Sequence, residues 1–454
     1  MTPITARAPI RPLWWLHPFW FMAAPLLFMS AIAYLLPEGD YHDAWLTPKA
    51  FEFGDLVLCF AVAGVFSAGC LIASRLNAVF SHRHPLSPGA RDAGVGRREL
   101  ELLFDLAFIV TIVGYAIWFA SIIRQGGLGL FLNMLSGGKG ASDEAKRSAT
   151  DSMITGVTTF TQFGMGTTLL GTYLGLARGW GTIRIRLVLL LGMTALRAVF
   201  LSERLSLIEV LLPSLIVAIR LKGFGRAGSK LRRLLVITPA MAVVGLYALF
   251  TFTEYFRSWS TFYADRGDQS LLSFSMLRLL GYYVTAINNG AIEWHAHGAL
   301  HFPYETLDWL WRFPVVGESL QTMLGGNKDP ALVRVALLTA EGNPEFNNTS
   351  GVFTVFTDFG AIGAMFFFLL YGCGAGLLHR SYCRGSTAGL FLYPFLVVAL
   401  SEQMLIFYAG SGRAFPTWLL LFAAVFAAYP RRGRVRPPQK RGQQPATRAG
   451  VTRR

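Results

Sequence analysis

Leu56-Val-Leu-Cys-Phe-Ala-Val-Ala-Gly-Val-Phe-Ser-Ala-Gly-Cys-Leu-Ile-Ala73 is a run of 18 residues without one charged side chain. A soluble helix of that length carries a polar face, and this one has none. About 20 apolar residues in helical rise cross the roughly 30 Å hydrocarbon layer of a bilayer. The same signature recurs along the chain. Spans are expected at about 15–36, 55–74, 102–123, 154–177, 187–201, 205–219, 234–253, 358–378, 386–408 and 415–429. Composition agrees, because 53% of the 454 residues are hydrophobic and only 15% are charged, against about 25% charged in soluble domains. The expectation is an all-α, polytopic integral membrane protein of about ten transmembrane helices, with residues 1–429 as one membrane domain.

The net charge of +15 is distributed by side. Segments 1–14, 75–105, 178–186, 220–233, 379–385 and 430–454 hold 27 Lys and Arg against four acids, Asp92, Glu99, Glu101 and Asp105. The rest of the chain holds the remaining 14 basic residues and 22 acids. Basic loops stay in the cytoplasm, so both termini are expected there. The charge is therefore a topology signal and not a nucleic-acid-binding surface. The tail, 430–454, is rich in Arg, Pro and Gln without apolar period, and reads as a disordered segment that meets anionic membrane lipids. Arg7 and Arg11 precede an apolar run too long for a signal-peptide core, so that run is a first span. The four cysteines show neither a disulfide framework nor zinc spacing.

Three segments are expected outside: an acidic loop at 37–54, a Gly- and Ser-rich loop at 124–153, and a long stretch at about 254–357. A connection of that length usually carries function. Its amphipathic part, Leu271–Ile292, and Trp294, Trp309 and Trp311 suit a cap resting on the membrane boundary.

Ionisable groups inside spans mark sites by default. Arginines at both ends of 187–219 make this segment a hairpin, with about 15 residues, or roughly 23 Å, in each arm. Its tip, Ser202-Glu203-Arg204, then lies below the outer surface, with Arg197 on about the same helical face as Arg204. Two guanidinium groups there suit a diphosphate, whose oxygens match the planar donor fork of arginine. An internal ion pair with Glu203 or Glu209 is the competing reading. Arg278, on an apolar face followed by Tyr282 and Asn289, and Arg413, before the last span, are further substrate-binding candidates. Glu402 is a base or a structural partner for an arginine. The spacing His295-x-His297-x3-His301 fits a solvated loop better than a metal site. There is no Walker A pattern, no nucleophile elbow and no HExxH.

Four stretches resemble the Wzy-type oligosaccharide repeat-unit polymerases. They are Arg197-Ala-Val-Phe-Leu-Ser-Glu-Arg204, Arg278-Leu-Leu-Gly-Tyr-Tyr-Val-Thr-Ala-Ile-Asn-Asn-Gly290, Asn347-Asn-Thr-Ser-Gly351 and Asp358-Phe-Gly-Ala-Ile-Gly363. The resemblance implies glycosyl transfer at the periplasmic face of the bacterial inner membrane. A growing glycan leaves undecaprenyl diphosphate and joins an incoming lipid-linked repeat unit, without metal or other cofactor. It implies that Arg197, Arg204 and Arg278 hold the diphosphate, that Glu203 is the base, and that Asn347 and Asn348 orient sugar hydroxyls. A chain-length regulator is a possible partner. O-antigen ligases resemble the Gly360–Gly363 span too, but carry a histidine about eleven residues before the first glycine. Here that neighbourhood reads Asn347-Asn348-Thr349-Ser350, although His301 lies elsewhere in the loop. A transporter of lipid-linked sugars is a third reading, opposed by the single long outer loop and the lack of internal symmetry.

Overall fold

The computed structural model describes residues 13–80, 95–126, 129–130, 132–133, 141–154, 156–201, 205–222, 230–264, 269–313, 316–325, 330–343 and 345–428. These residues form sixteen α-helices and several tighter or wider helical turns. In chain order the helices are α1 Ala23–Leu35, α2 Glu38–Trp45, α3 Phe53–Phe80, α4 Val95–Arg124, α5 Ala141–Asp151, α6 Phe163–Arg178, α7 Gly181–Phe200 and α8 Leu205–Lys222. There follow α9 Lys230–Glu254, α10 Leu271–His297, α11 Asp308–Trp311, α12 Gly317–Met323, α13 Pro330–Glu341, α14 Gly351–Arg384, α15 Thr387–Glu402 and α16 Phe415–Ala427.

Five helical stretches are long and apolar enough to cross a bilayer: Pro18–Leu35, Phe53–Arg75, Arg98–Arg124, Leu235–Ser260 and Gly351–Arg384. Their apolar side chains face outward. Along α14, Ile362, Phe366 and Leu370, one turn apart, are 87%, 63% and 54% exposed. An apolar stripe of that kind needs lipid, not water, as its solvent. Length, composition and this outward face mark a polytopic membrane protein.

Small residues decide how the helices meet. α3 and α14 cross so closely that a Cβ on Gly69 would lie 2.3 Å from the Leu369 carbonyl oxygen, and one on Gly372 would lie 2.2 Å from that of Phe66. Gly372 and Gly376 stand four apart on the α14 face that touches α3, the small-xxx-small pattern that lets helix backbones approach in a membrane. At the centre, α15 is buried from Gly389 to Leu400 and α6 over most of its length. Thr167 and Thr168 of α6 donate their hydroxyls to the carbonyls of Phe163 and Gly164 and so carry no unmet polar group into the core.

The expected hairpin is present, with longer arms: α7 and α8 run 20 and 18 residues. The helices extend through the flanking basic residues, because Arg186 pairs with Asp105 and Arg220 donates to the Tyr382 carbonyl. The tip residues, Ser202, Glu203 and Arg204, lie outside the described residues, as do Gly137–Gly140 and the 430–454 tail. The acidic loop 37–54 holds a short helix, α2, and the 124–153 loop holds α5.

The stretch 254–357 is largely helical. Its main helix, α10, packs against α1, α9 and α14, and Val284–Glu293 is buried without interruption. The amphipathic stretch expected here is thus packed inside the protein along this part. Asn288 and Asn289 explain why. Asn288 accepts from the backbone N–H groups of Ala50 and Phe51 and donates to the Pro48 carbonyl, and Asn289 donates to the carbonyls of Phe346 and Asn348. Two amides thus tie the helix into loops on either side.

Candidate functional site

The hairpin brings a set of polar groups into the apolar core. Arg197, near the end of α7, is buried. It donates at 3.4 Å to the hydroxyl of Thr161, in the 3-10 turn Thr158–Gln162 that leads into α6. With the Gln162 amide oxygen turned toward it, Arg197 donates to that oxygen at 2.8 and 3.1 Å. Across the hairpin, Ser206 and Glu209 stand three residues apart on one face of α8. Both are buried.

Arg413 reaches the same place from the segment between α15 and α16. Its Nε lies 2.7 Å from Glu209 Oε1, and its Nη2 donates to Glu209 Oε2 at 2.8 Å and to Ser206 Oγ at 3.2 Å. The Tyr408 hydroxyl donates to Glu209 Oε1 at 2.6 Å. Glu402, at the end of α15, is buried within electrostatic reach of Glu209 and Arg413. Thr161, Gln162, Thr194, Arg197, Ser206 and Glu209 line one narrow cavity, with room for about one water molecule. The structure therefore joins two sequence candidates, Arg197 and Arg413, through the α8 face that carries Ser206 and Glu209. Arg413, 20% exposed, is ion-paired in this segment. The other two candidates of this hairpin, Glu203 and Arg204, lie between α7 and α8, outside the described residues.

The long outer stretch holds the Arg413 segment in place. Asp308 accepts from the Gly412 N–H at 3.3 Å. Trp309 stacks face to face on Phe415, 4.4 Å between centroids and 6° between planes. Gly410 lies so close beneath Thr306 that a Cβ would stand 2.0 Å from the Thr306 carbonyl oxygen. Asp358, in the N-terminal part of α14, accepts from the N–H groups of Glu305 and Thr306 and from the Thr306 hydroxyl. A chain of contacts thus runs from α14 through 305–309 to the arginine.

Arg278 is placed elsewhere. It pairs with Glu254 at 3.0 Å and Glu345 at 2.6 Å, and its guanidinium lies over the rings of Tyr263, Phe274 and Phe346. Tyr282 packs edge-on against Phe250 and Phe346. Asn289 spends its amide donors on backbone carbonyls, one of them that of Asn348. Arg278, Tyr282, Asn289 and Asn348 thus bind the loop before α14 onto α10, through partners different from those that surround Arg197 and Arg413. The acidic partners of Arg278 lie far from it in sequence, so the helix pattern alone made it look solitary.

A further group escaped the sequence reading. Glu293 on α10 is buried beside Arg334, Glu305, Asp358 and Thr349, and Arg334 pairs with Glu305 at 2.7 Å. Burial pushes the Glu293 carboxyl up to about 7, although Arg334 pulls it down. Burial likewise raises Asp308 above the usual carboxylate range, against the opposing pull of Arg312. Periodicity could have flagged only one hint, an acid on the buried face of α10. His295 lies 3.1 Å from Asp55, and His301 adopts a left-handed backbone, φ 53°.

Together these define a class: a polytopic α-helical membrane protein with a buried site built from arginines, carboxylates and hydroxyls. No family model, no curated protein and no solved structure matches the chain.

Proposed function

We propose that the chain is an oligosaccharide repeat-unit polymerase of the bacterial inner membrane, with ten spans, both termini in the cytoplasm and 254–357 on the periplasmic side. Its substrates are undecaprenyl-diphosphate-linked glycans. The observation that carries this reading is that Arg197 lines a buried cavity together with Ser206 and Glu209, the two residues to which Arg413 binds. Two guanidinium groups in a low-dielectric surround suit a group with several negative oxygens, and fixed cations stabilise the charge that develops on a diphosphate as it leaves. A carboxylate takes the proton of the attacking sugar hydroxyl. The sequence resemblance alone adds Arg204 to the diphosphate role and offers Glu203 as one candidate for the base; Arg278, paired with Glu254 and Glu345, is left out of it.

The test is purified protein in detergent with one undecaprenyl-diphosphate-linked repeat unit and no nucleotide sugar. A ladder of longer glycans on the same lipid is expected. No ladder with any of several repeat units defeats the proposal.

One observation favours ligase instead. His301 sits against the kink of α14, its Cε1 3.6 Å from the position of a Cβ on Gly360, the first glycine of Gly360–Gly363. A histidine can thus reach that span by folding although it is absent from the preceding sequence. Transfer of the glycan to a lipid A core, without a ladder, is the outcome this reading expects.

A further inference from the structure

The contact between Arg413 and Glu209 has the shape of an occupied anion seat. Arg413 sets two neighbouring nitrogens, Nε and Nη2, against the two oxygens of one carboxylate, at 2.7 and 2.8 Å, with Nη2 donating the hydrogen bond. A guanidinium offers that same fork to two oxygens of a phosphate. Glu209 is only 2% exposed, yet it lines the cavity that Arg197 also lines. It is held there from behind, by the Tyr408 hydroxyl at 2.6 Å. A second carboxylate, Glu402, lies within electrostatic reach of the same arginine. An anion arriving at Arg413 therefore replaces an existing contact, the one with Glu209, and creates no new unpaired cation. A pair serving packing alone would be cheaper as two apolar side chains of similar size, since removing two charges from water costs more than their attraction often returns.

We infer that Glu209 is a displaceable counter-anion: a diphosphate reaching Arg413, which is 20% exposed, takes over its contact with Glu209, and the released Glu209 carboxylate accepts the proton of the attacking sugar hydroxyl. This rests on the polymerase reading and adds to it the residue that couples substrate entry to chemistry. In the step itself, the acceptor O–H bond breaks and its proton passes to a Glu209 oxygen. The acceptor oxygen forms a bond to the anomeric carbon. The bond from that carbon to the phosphate oxygen breaks, and its electron pair leaves on the lipid diphosphate, faced by Arg197 and Arg413. Tyr408 keeps Glu209 in position throughout.

The experiment uses full-length protein in lipid nanodiscs. Undecaprenyl diphosphate and inorganic pyrophosphate probe the seat, and the lipid-linked repeat unit reports turnover. Glu209→Gln keeps the side-chain shape and removes the charge that competes for Arg413. It is expected to bind undecaprenyl diphosphate about tenfold more tightly than wild type, while turnover at saturating substrate falls at least about 100-fold. Glu209→Asp, too short to close on Arg413, is expected to bind more tightly as well, and serves if the glutamine variant fails to fold. Tightening for inorganic pyrophosphate as well assigns the seat to the diphosphate group; tightening for the lipid alone assigns it to the lipid-linked form. Folded variants that bind neither probe more tightly overturn the displacement. Tighter binding with undiminished turnover overturns the role of Glu209 as proton acceptor. A wild-type protein that forms no ladder defeats the polymerase reading separately, and the binding comparison still decides whether Glu209 guards an anion seat.

Discussion

At the scale of single residues, buried charge decides most of what is specific here. Glu254 is fully buried and pairs with Arg278, itself 7% exposed. Removing one partner strands the other charge in a medium that solvates it poorly. Arg278→Met should therefore lower stability by roughly 3–5 kcal/mol, read by thermal unfolding in detergent, and adding Glu254→Gln should restore part of the loss. Equal stability of the single and double variants would show that the pair is not a unit. Glu293 gives a prediction of opposite kind. Its folded value, about 7, lies above the ordinary 4.5, so the native protein binds the extra proton between those limits. Stability contributed by this group is then present below about pH 4.5 and lost as pH rises through 7. The melting temperature should fall across that window in wild type and fall less in Glu293→Gln. The sequence exposed Arg197, Arg278 and Arg413 as cations in apolar surroundings. It offered Glu209 as a partner for an arginine of the hairpin, whereas the structure pairs Glu209 with Arg413; Tyr408, Glu254 and Glu345 become neighbours only through packing.

At the scale of elements, close helix crossings rest on glycine. The α3–α14 contact leaves no volume for a side chain at Gly372, where the nearest obstacle is the Phe66 carbonyl. That obstacle is backbone and does not rotate away. Gly372→Leu should cost roughly 1–3 kcal/mol or more and lower the folded yield. Gly374→Ala, where a Cβ meets nothing within 4 Å, should leave both unchanged. Five of the ten expected apolar spans recur as helices long and apolar enough to cross a bilayer. The course of α10 was not readable from hydropathy. Its polar residues looked like the wet face of a surface helix, whereas Asn288 and Asn289 turn out to hydrogen-bond loops that the fold brings beside them. Amides that satisfy backbone groups carry no periodic signal.

At the scale of the whole molecule, charge asymmetry predicts a topology that the arrangement of helices does not by itself assign. Single cysteines at Asp40 and Thr322, both exposed, should react with a membrane-impermeant maleimide from the periplasmic side of intact cells. A cysteine at Gln443 should react only after the inner membrane is opened. The reverse pattern would overturn the orientation and, with it, the placement of the arginine site toward lipid-linked glycans on the outer face.

What the sequence determined by itself was the solvent of this protein and its helical class. Both follow from local quantities: 20-residue apolar runs must cross or avoid a bilayer as helices, since backbone groups find no other partners there. The tertiary structure decided which charges meet. Arg197 lines a cavity with Ser206 and Glu209, and Arg413, more than two hundred residues away in sequence, binds those same two residues, while Arg278 is spent on Glu254 and Glu345. Hydropathy is a property of neighbours along the chain, and ion pairing is a property of neighbours in space.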